Sequence, residues 1–81
     1  MDYNVEEVRY VGGHTVWVRF RDGTEGELDL GPELSGPVFQ PLLDPEYFKQ
    51  VRVDPEFHTL VWPNGADLAP EFLHRKVRHA A

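Results

Sequence analysis

Val16-Trp17-Val18-Arg19-Phe20-Arg21-Asp22-Gly23-Thr24-Glu25-Gly26-Glu27-Leu28-Asp29-Leu30, residues 16–30, holds two strand-like halves around an Asp-Gly pair. How the halves pair decides the fold. A two-residue loop at Asp22-Gly23 sets Phe20 opposite Glu25 and Val18 opposite Glu27. Apolar and charged groups then share both faces, which a sheet with one buried side does not accept. A three-residue loop, Arg21-Asp22-Gly23 with Gly23 left-handed in a bulge, shifts the pairing by one. Phe20 now faces Thr24, Val18 faces Gly26 and Val16 faces Leu28. The other face pairs Arg19 with Glu25 and Trp17 with Glu27, and Asp29 joins it. One face is apolar and the other is a ladder of charges.

The same device applied one hairpin earlier, with a Val11-Gly12-Gly13 loop, sets Val8 against Val16 and Tyr10 against His14. The expectation is a three-stranded antiparallel meander over about 4–11, 14–20 and 24–30. Further on, residues 50–54 and 59–62 read as a second short hairpin around Asp54-Pro55. Short helices are expected near 37–48 and 68–77. Pro37 opens the first, which carries Val38, Phe39, Leu42 and Leu43; Asp44 then caps a turn that starts at Pro45. Asn64-Gly65 is a turn, and Asp67 is expected to cap the last helix, with Pro70 in its first turn. The fold class is α+β, in a single domain of residues 1–81.

Eighty-one residues form a thin core, since so short a chain buries only about 60–65% of its unfolded surface. The 41% hydrophobic and 12% aromatic content is nonetheless that of a folded protein. With no cysteine, a disulfide scaffold, a thiolate zinc site and a cysteine nucleophile are all excluded. Fourteen acidic and eight basic side chains give a net charge of −6. Residues 1–70 carry −8, and Arg75, Lys76 and Arg78 partly offset this near the C-terminus. Such a body repels phosphate, so nucleic acid is not an expected partner. Cations in a helix's last turn favour its negative end without any partner. Asp2, Glu6 and Glu7 stand where a secretory leader needs basic residues, and no run approaches the ~20 apolar residues of a membrane span. A cytoplasmic protein with no membrane association is expected.

Candidate chemistry is sparse. His14, His58, His74 and His79 are scattered, and the last two, five apart, lie on different faces of a helix. Ser35, the only serine, stands in Leu34-Ser35-Gly36-Pro37, outside any nucleophile-elbow frame. No catalytic residue, metal site or cofactor is expected. The carboxylates of Glu25, Glu27 and Asp29 alternate on one strand as a solvated face partly neutralised by Arg19 and Arg9. Trp17 lies among them. It is either an interface anchor, with Arg19, Glu25, Glu27 and Asp29 as the surrounding partner-binding residues, or a side chain covered by the second hairpin or last helix. Trp62-Pro63-Asn64-Gly65-Ala66-Asp67 reads first as structure, with Trp62 in the core and Asn64-Gly65 supplying positive φ. The alternative is a small ligand pocket built from His58, Trp62, Asn64, Gly65 and Asp67.

Asp22-Gly23, Glu27-Leu28-Asp29-Leu30, Gly36-Pro37-Val38-Phe39-Gln40-Pro41-Leu42, Val51-Arg52-Val53-Asp54 and Thr59-Leu60-Val61-Trp62-Pro63-Asn64-Gly65-Ala66-Asp67-Leu68 follow one another at a distinctive spacing. In this the chain resembles a small bacterial family catalogued as domain of unknown function 2442, from about Val8 to Leu73. The resemblance implies an α+β fold, no established activity and no catalytic residues to carry over. Some members are fused to a helix-turn-helix domain, for which this chain has no room. Members also tend to be encoded beside another small uncharacterised family, in a layout reminiscent of toxin–antitoxin pairs. The expected function is therefore a non-enzymatic protein-interaction or regulatory, antitoxin-like module, whose partner is encoded by a neighbouring gene. The alternative is a small-molecule or metal-binding domain that uses the turn after Trp62.

Overall fold

In a computed structural model, which describes residues 3–80 and the side chains of residues 3–77, the turn at Asp22-Gly23 takes the three-residue form. Gly23 lies at φ +91°, and Phe20 donates its N–H to the Thr24 carbonyl at 2.8 Å. Strands β2 (Thr15–Phe20) and β3 (Glu25–Asp29) pair as expected: Arg19 with Glu25, Val18 with Gly26, Trp17 with Glu27 and Val16 with Leu28. Val16, Val18, Phe20 and Leu28 are buried on the inner face.

Strand β1 (Val5–Gly12) completes the antiparallel meander in the order β1-β2-β3, but its register differs from expectation by two residues. Val8 pairs with Val18 rather than Val16, and Tyr10 with Val16 rather than His14. The turn is tighter than expected. Gly12 sits opposite Thr15, Gly13 takes φ +55°, and Val11 is accommodated as an irregularity in β1. The His14 ring, drawn to the Leu43 carbonyl at 2.8 Å, ties this turn to the following segment. A displacement of two preserves the pleat, so Glu7 to Tyr10 keep their expected faces, whereas the irregularity before Glu7 pairs Val5 with Phe20 and turns it into the core.

The segment 37–48, expected to hold a short helix from Pro37 and then a capped turn from Pro45, is built of short turns. A 3₁₀ turn at Gly31–Glu33 precedes another at Gln40–Leu43, and α1 (Pro45–Phe48) follows. Gly36, at φ +90°, bends the chain before Pro37, so helical structure begins only at Gln40. Asp44 caps α1 as expected, accepting the Glu46 N–H at 3.0 Å. Strands β4 (Arg52–Val53) and β5 (Leu60–Val61) form the second hairpin.

Helix α2 (Pro70–Ala80) starts later than expected, and Asp67 does not cap it. Residues 67 and 68 are held extended instead: Asp67 bridges to Val61, Leu68 donates to the Leu60 carbonyl, and the Thr59 hydroxyl donates to the Leu68 carbonyl. The helix then opens at Pro70, which has no N–H to leave unsatisfied in a first turn. Among the described residues no helix is long and apolar enough to cross a membrane.

The inner face of the meander, β5, Trp62, Phe48 and α2 bury one continuous core. Trp62 is 1% exposed, donates its indole N–H to the Phe48 carbonyl at 2.9 Å and packs on the Phe48 ring. Helix α2 approaches β3 where Gly26 lacks a side chain. A Cβ there would lie 3.2 Å from Cγ1 of Val77.

One polar contact holds α2 to the β2–β3 turn. His74, 4% exposed, packs edge-on against Tyr3 and Phe20 and places Nε2 2.8 Å from Oδ2 of Asp22. Oδ1 of the same carboxylate accepts the Thr24 N–H at 2.9 Å. The Thr24 N–H first, and His74 second, hold the Asp22 carboxyl down at about 2, below its ordinary 3.8. Sequence reading treated Asp22 only as a turn residue and did not place His74 in the interior.

Two outcomes follow from this packing. Trp62→Ala should cost about 3–5 kcal/mol of stability, the usual range for a large buried aromatic, and Trp62→Phe less; denaturant titration measures both. Because Asp22 is more acidic folded than unfolded, its contribution is complete above the unfolded pKa and fades as pH falls from about 4 towards 2. Asp22→Asn should therefore melt below the parent near pH 6, and the two melting temperatures should converge in strong acid. A gap that persists unchanged at low pH would contradict a role for the ionised carboxylate.

Candidate functional site

The outer face of the meander is where the pleat sends the odd-numbered residues of β2 and β3. Two rows cross it. Arg9, Trp17 and Glu27 form one, and Glu7, Arg19 and Glu25 form the other. Asp29 extends the face beside Thr15. The structure thus brings Trp17, Arg19, Glu25, Glu27 and Asp29 onto one surface.

Trp17 is half-buried, and it belongs neither to the core nor to the hydrophobic side chains packed against it. The neighbouring strand covers part of it: the Arg9 guanidinium lies 5.0 Å from the centre of the indole. Sequence reading missed this contact because its β1 register put Arg9 opposite Thr15; the signal lay in the turn length at Gly13, not in Arg9 itself.

The arginines of this face pair towards β1. Arg19 reaches Glu7 at 3.0 Å and Glu6 at 3.7 Å, since the irregularity between Val5 and Glu7 brings both carboxylates within reach. Arg9 pairs with Glu7 at 2.8 Å. Expected charge compensation across to β3 is therefore not what forms. The exposed side chains of Glu25 and Glu27 make no hydrogen bond or ion pair among the described residues. Asp29 accepts the Gly31 N–H at 3.0 Å and so helps to end the strand. The face is graded: neutralised beside β1, aromatic at β2, negative at β3.

The residues of the alternative pocket are engaged with the fold around them. Trp62 is buried and its N–H is already used. The Asn64 side chain donates to the Val38 carbonyl at 2.9 Å and accepts from the Ala66 N–H at 3.0 Å, while Gly65 turns the chain at φ +87°. Asp67 is exposed beside β5. His58, at φ +54°, closes the turn after β4 by donating its N–H to the Asp54 carbonyl and accepting the Val5 N–H. Backbone N–H groups of Phe57 and Glu56 hold the Asp54 carboxyl in that turn below the usual carboxylate range. His58 lines an open groove of about 520 Å³ with Asn4, Val5, Glu6, Arg19, Arg21 and Val53, none of them from the Trp62 turn.

Among the described residues no three His, Cys, Asp or Glu side chains are placed to hold a metal ion. His14 faces Leu43, and His74 faces Asp22. The side chains of Arg78 and His79 lie outside the described residues.

Comparison with curated proteins and with solved structures returned no match to the chain. A family model does match: its description is "Protein of unknown function (DUF2442)", and it covers residues 5–79, a longer span than the motifs alone delimit. With nearly the whole chain matched, the protein belongs to this family.

Proposed function

We propose that the protein is a non-enzymatic interaction module of the bacterial cytoplasm, which docks a basic protein partner on the outer face of its meander and restrains it in the manner of an antitoxin. The carrying observation is Trp17: an indole outside the hydrophobic core cluster, half-buried at the centre of the face with the Arg9 guanidinium against it. Tryptophan and arginine together are the composition of interface anchors, because each offers a large rigid surface with a polar margin. The partner's charge is argued from Glu25 and Glu27, which are exposed and unpaired among the described residues in a chain of net −6. A negative patch speeds encounter with a basic protein and repels nucleic acid. The resemblance to families encoded in toxin–antitoxin-like layouts points to a partner from a neighbouring gene.

Co-expression with the adjacent gene product, followed by titration, tests this reading. Trp17→Ala should weaken the complex by about 2 kcal/mol or more while the melting temperature stays close to that of the parent. Glu25→Lys with Glu27→Lys should mainly slow association, most clearly at low salt. Random-sequence DNA at low salt is the control. Tight DNA binding, or a complex indifferent to Trp17, would overturn the proposal.

A further inference from the structure

The hydrogen-bond phase of β3 gives its carboxylates a second property. In an antiparallel pair, alternate residues turn their backbone groups towards the neighbouring strand and the rest turn them away. Phe20 donates to Thr24 at one end of the β2–β3 ladder, and Leu30 donates to His14 at the other. Even-numbered residues of β3 therefore bond inward to β2. Glu25, Glu27 and Asp29 direct their N–H and C=O groups outward.

β3 is an edge strand, and among the described residues no other strand pairs with its outer side. Glu25, Glu27 and Asp29 make no backbone hydrogen bond beyond the ladder among those residues. The opposite edge of the meander is engaged near its start, where Val5 donates to the His58 carbonyl. Helix α2 lies over the inner face of β3, at Gly26. What remains is an edge on which Glu25, Glu27 and Asp29 hold their backbone groups open and carry a carboxylate each on the outer face.

We infer that β3 receives an added strand from the partner: an extended segment with Lys or Arg at every second position. This rests on the proposed docking of a basic protein and specifies its mode. Main-chain hydrogen bonds supply the attachment, and alternate side chains supply the selection. In an antiparallel addition, residues bonded directly to Glu25, Glu27 and Asp29 place their side chains on the same face as the carboxylates. Basic residues at those positions meet opposite charge. A second copy of this chain is disfavoured, because two β3 edges would set carboxylates against carboxylates. The same charges that guard the edge against self-pairing thus choose its occupant.

An eight-residue capped peptide alternating Lys and Val is the probe, with two analogues N-methylated at three lysines or at three valines. Lysines that face the carboxylates also direct their amides at the β3 edge, so methylating them removes the hydrogen bonds. The valine amides point away. The parent and the valine-methylated peptide should bind with similar affinity, and the lysine-methylated peptide at least about tenfold more weakly. Amide signals of Glu25, Glu27 and Asp29 should gain exchange protection with the first two only. If both analogues bind equally, charge alone docks the peptide and strand addition is wrong, while the broader reading of a basic partner stands. Failure of the parent peptide to bind would also overturn strand addition. A neighbour complex insensitive to Trp17→Ala, with the methylation contrast intact, would instead remove the broader reading and leave the edge as a site.

Discussion

A single left-handed residue sets the phase of the whole sheet. Gly23, at φ +91°, lets the β2–β3 turn close over three residues, and this choice decides which side chains of two strands face inward. A slip of one residue would set Phe20 beside Glu25 and Val18 beside Glu27, so that no face of the sheet could be buried without its charges. In a domain of 81 residues there is little other burial to offset such a loss. Asp22, the residue before, reinforces the same turn with one carboxylate oxygen and clasps His74 of α2 with the other. The turn therefore fixes both the register of the sheet and the seat of the helix. Gly26 completes the arrangement by leaving room for Val77.

The parts legible in the sequence were those governed by local chemistry. Gly23, Asp44 before Pro45, and Asn64-Gly65 each announce a turn or cap through one residue's conformational or hydrogen-bonding preference, and each stands as read. The parts misread depend on contacts distant in the chain. Asp67 has the composition of a helix cap, but pairing with Val61 holds it extended. The β1 register turns on whether the loop is Val11-Gly12-Gly13 or Gly13-His14, and adjacent glycines permit both; the structure pairs Gly12 with Thr15, places the positive φ at Gly13 and ties His14 to Leu43, 29 residues away. His74 looked like one of several scattered histidines because its partner, Asp22, is 52 residues distant.

The candidate site was legible to the same degree as the register that creates it. Period-two alternation gathered Trp17, Arg19, Glu25, Glu27 and Asp29 correctly, because pleating alone assigns faces. It could not say which carboxylates would be neutralised. That follows from the irregularity at Glu6, which turns Arg19 towards β1 and leaves the β3 carboxylates open to solvent. The face is asymmetric for a geometric reason, and the asymmetry concentrates negative charge on the strand whose outer edge no other strand among the described residues pairs with.

Amide hydrogen exchange resolved along β3 in the free protein tests this account most directly, because register, edge and carboxylate placement all rest on one alternation. Gly26 and Leu28 should exchange slowly, bonded inward to β2, and Glu25 and Glu27 at least about tenfold faster. Uniform protection along the strand would mean that something else covers the edge. The inverse pattern, with Glu25 and Glu27 protected and Gly26 and Leu28 free, would contradict the three-residue turn and the sorting of faces that depends on it.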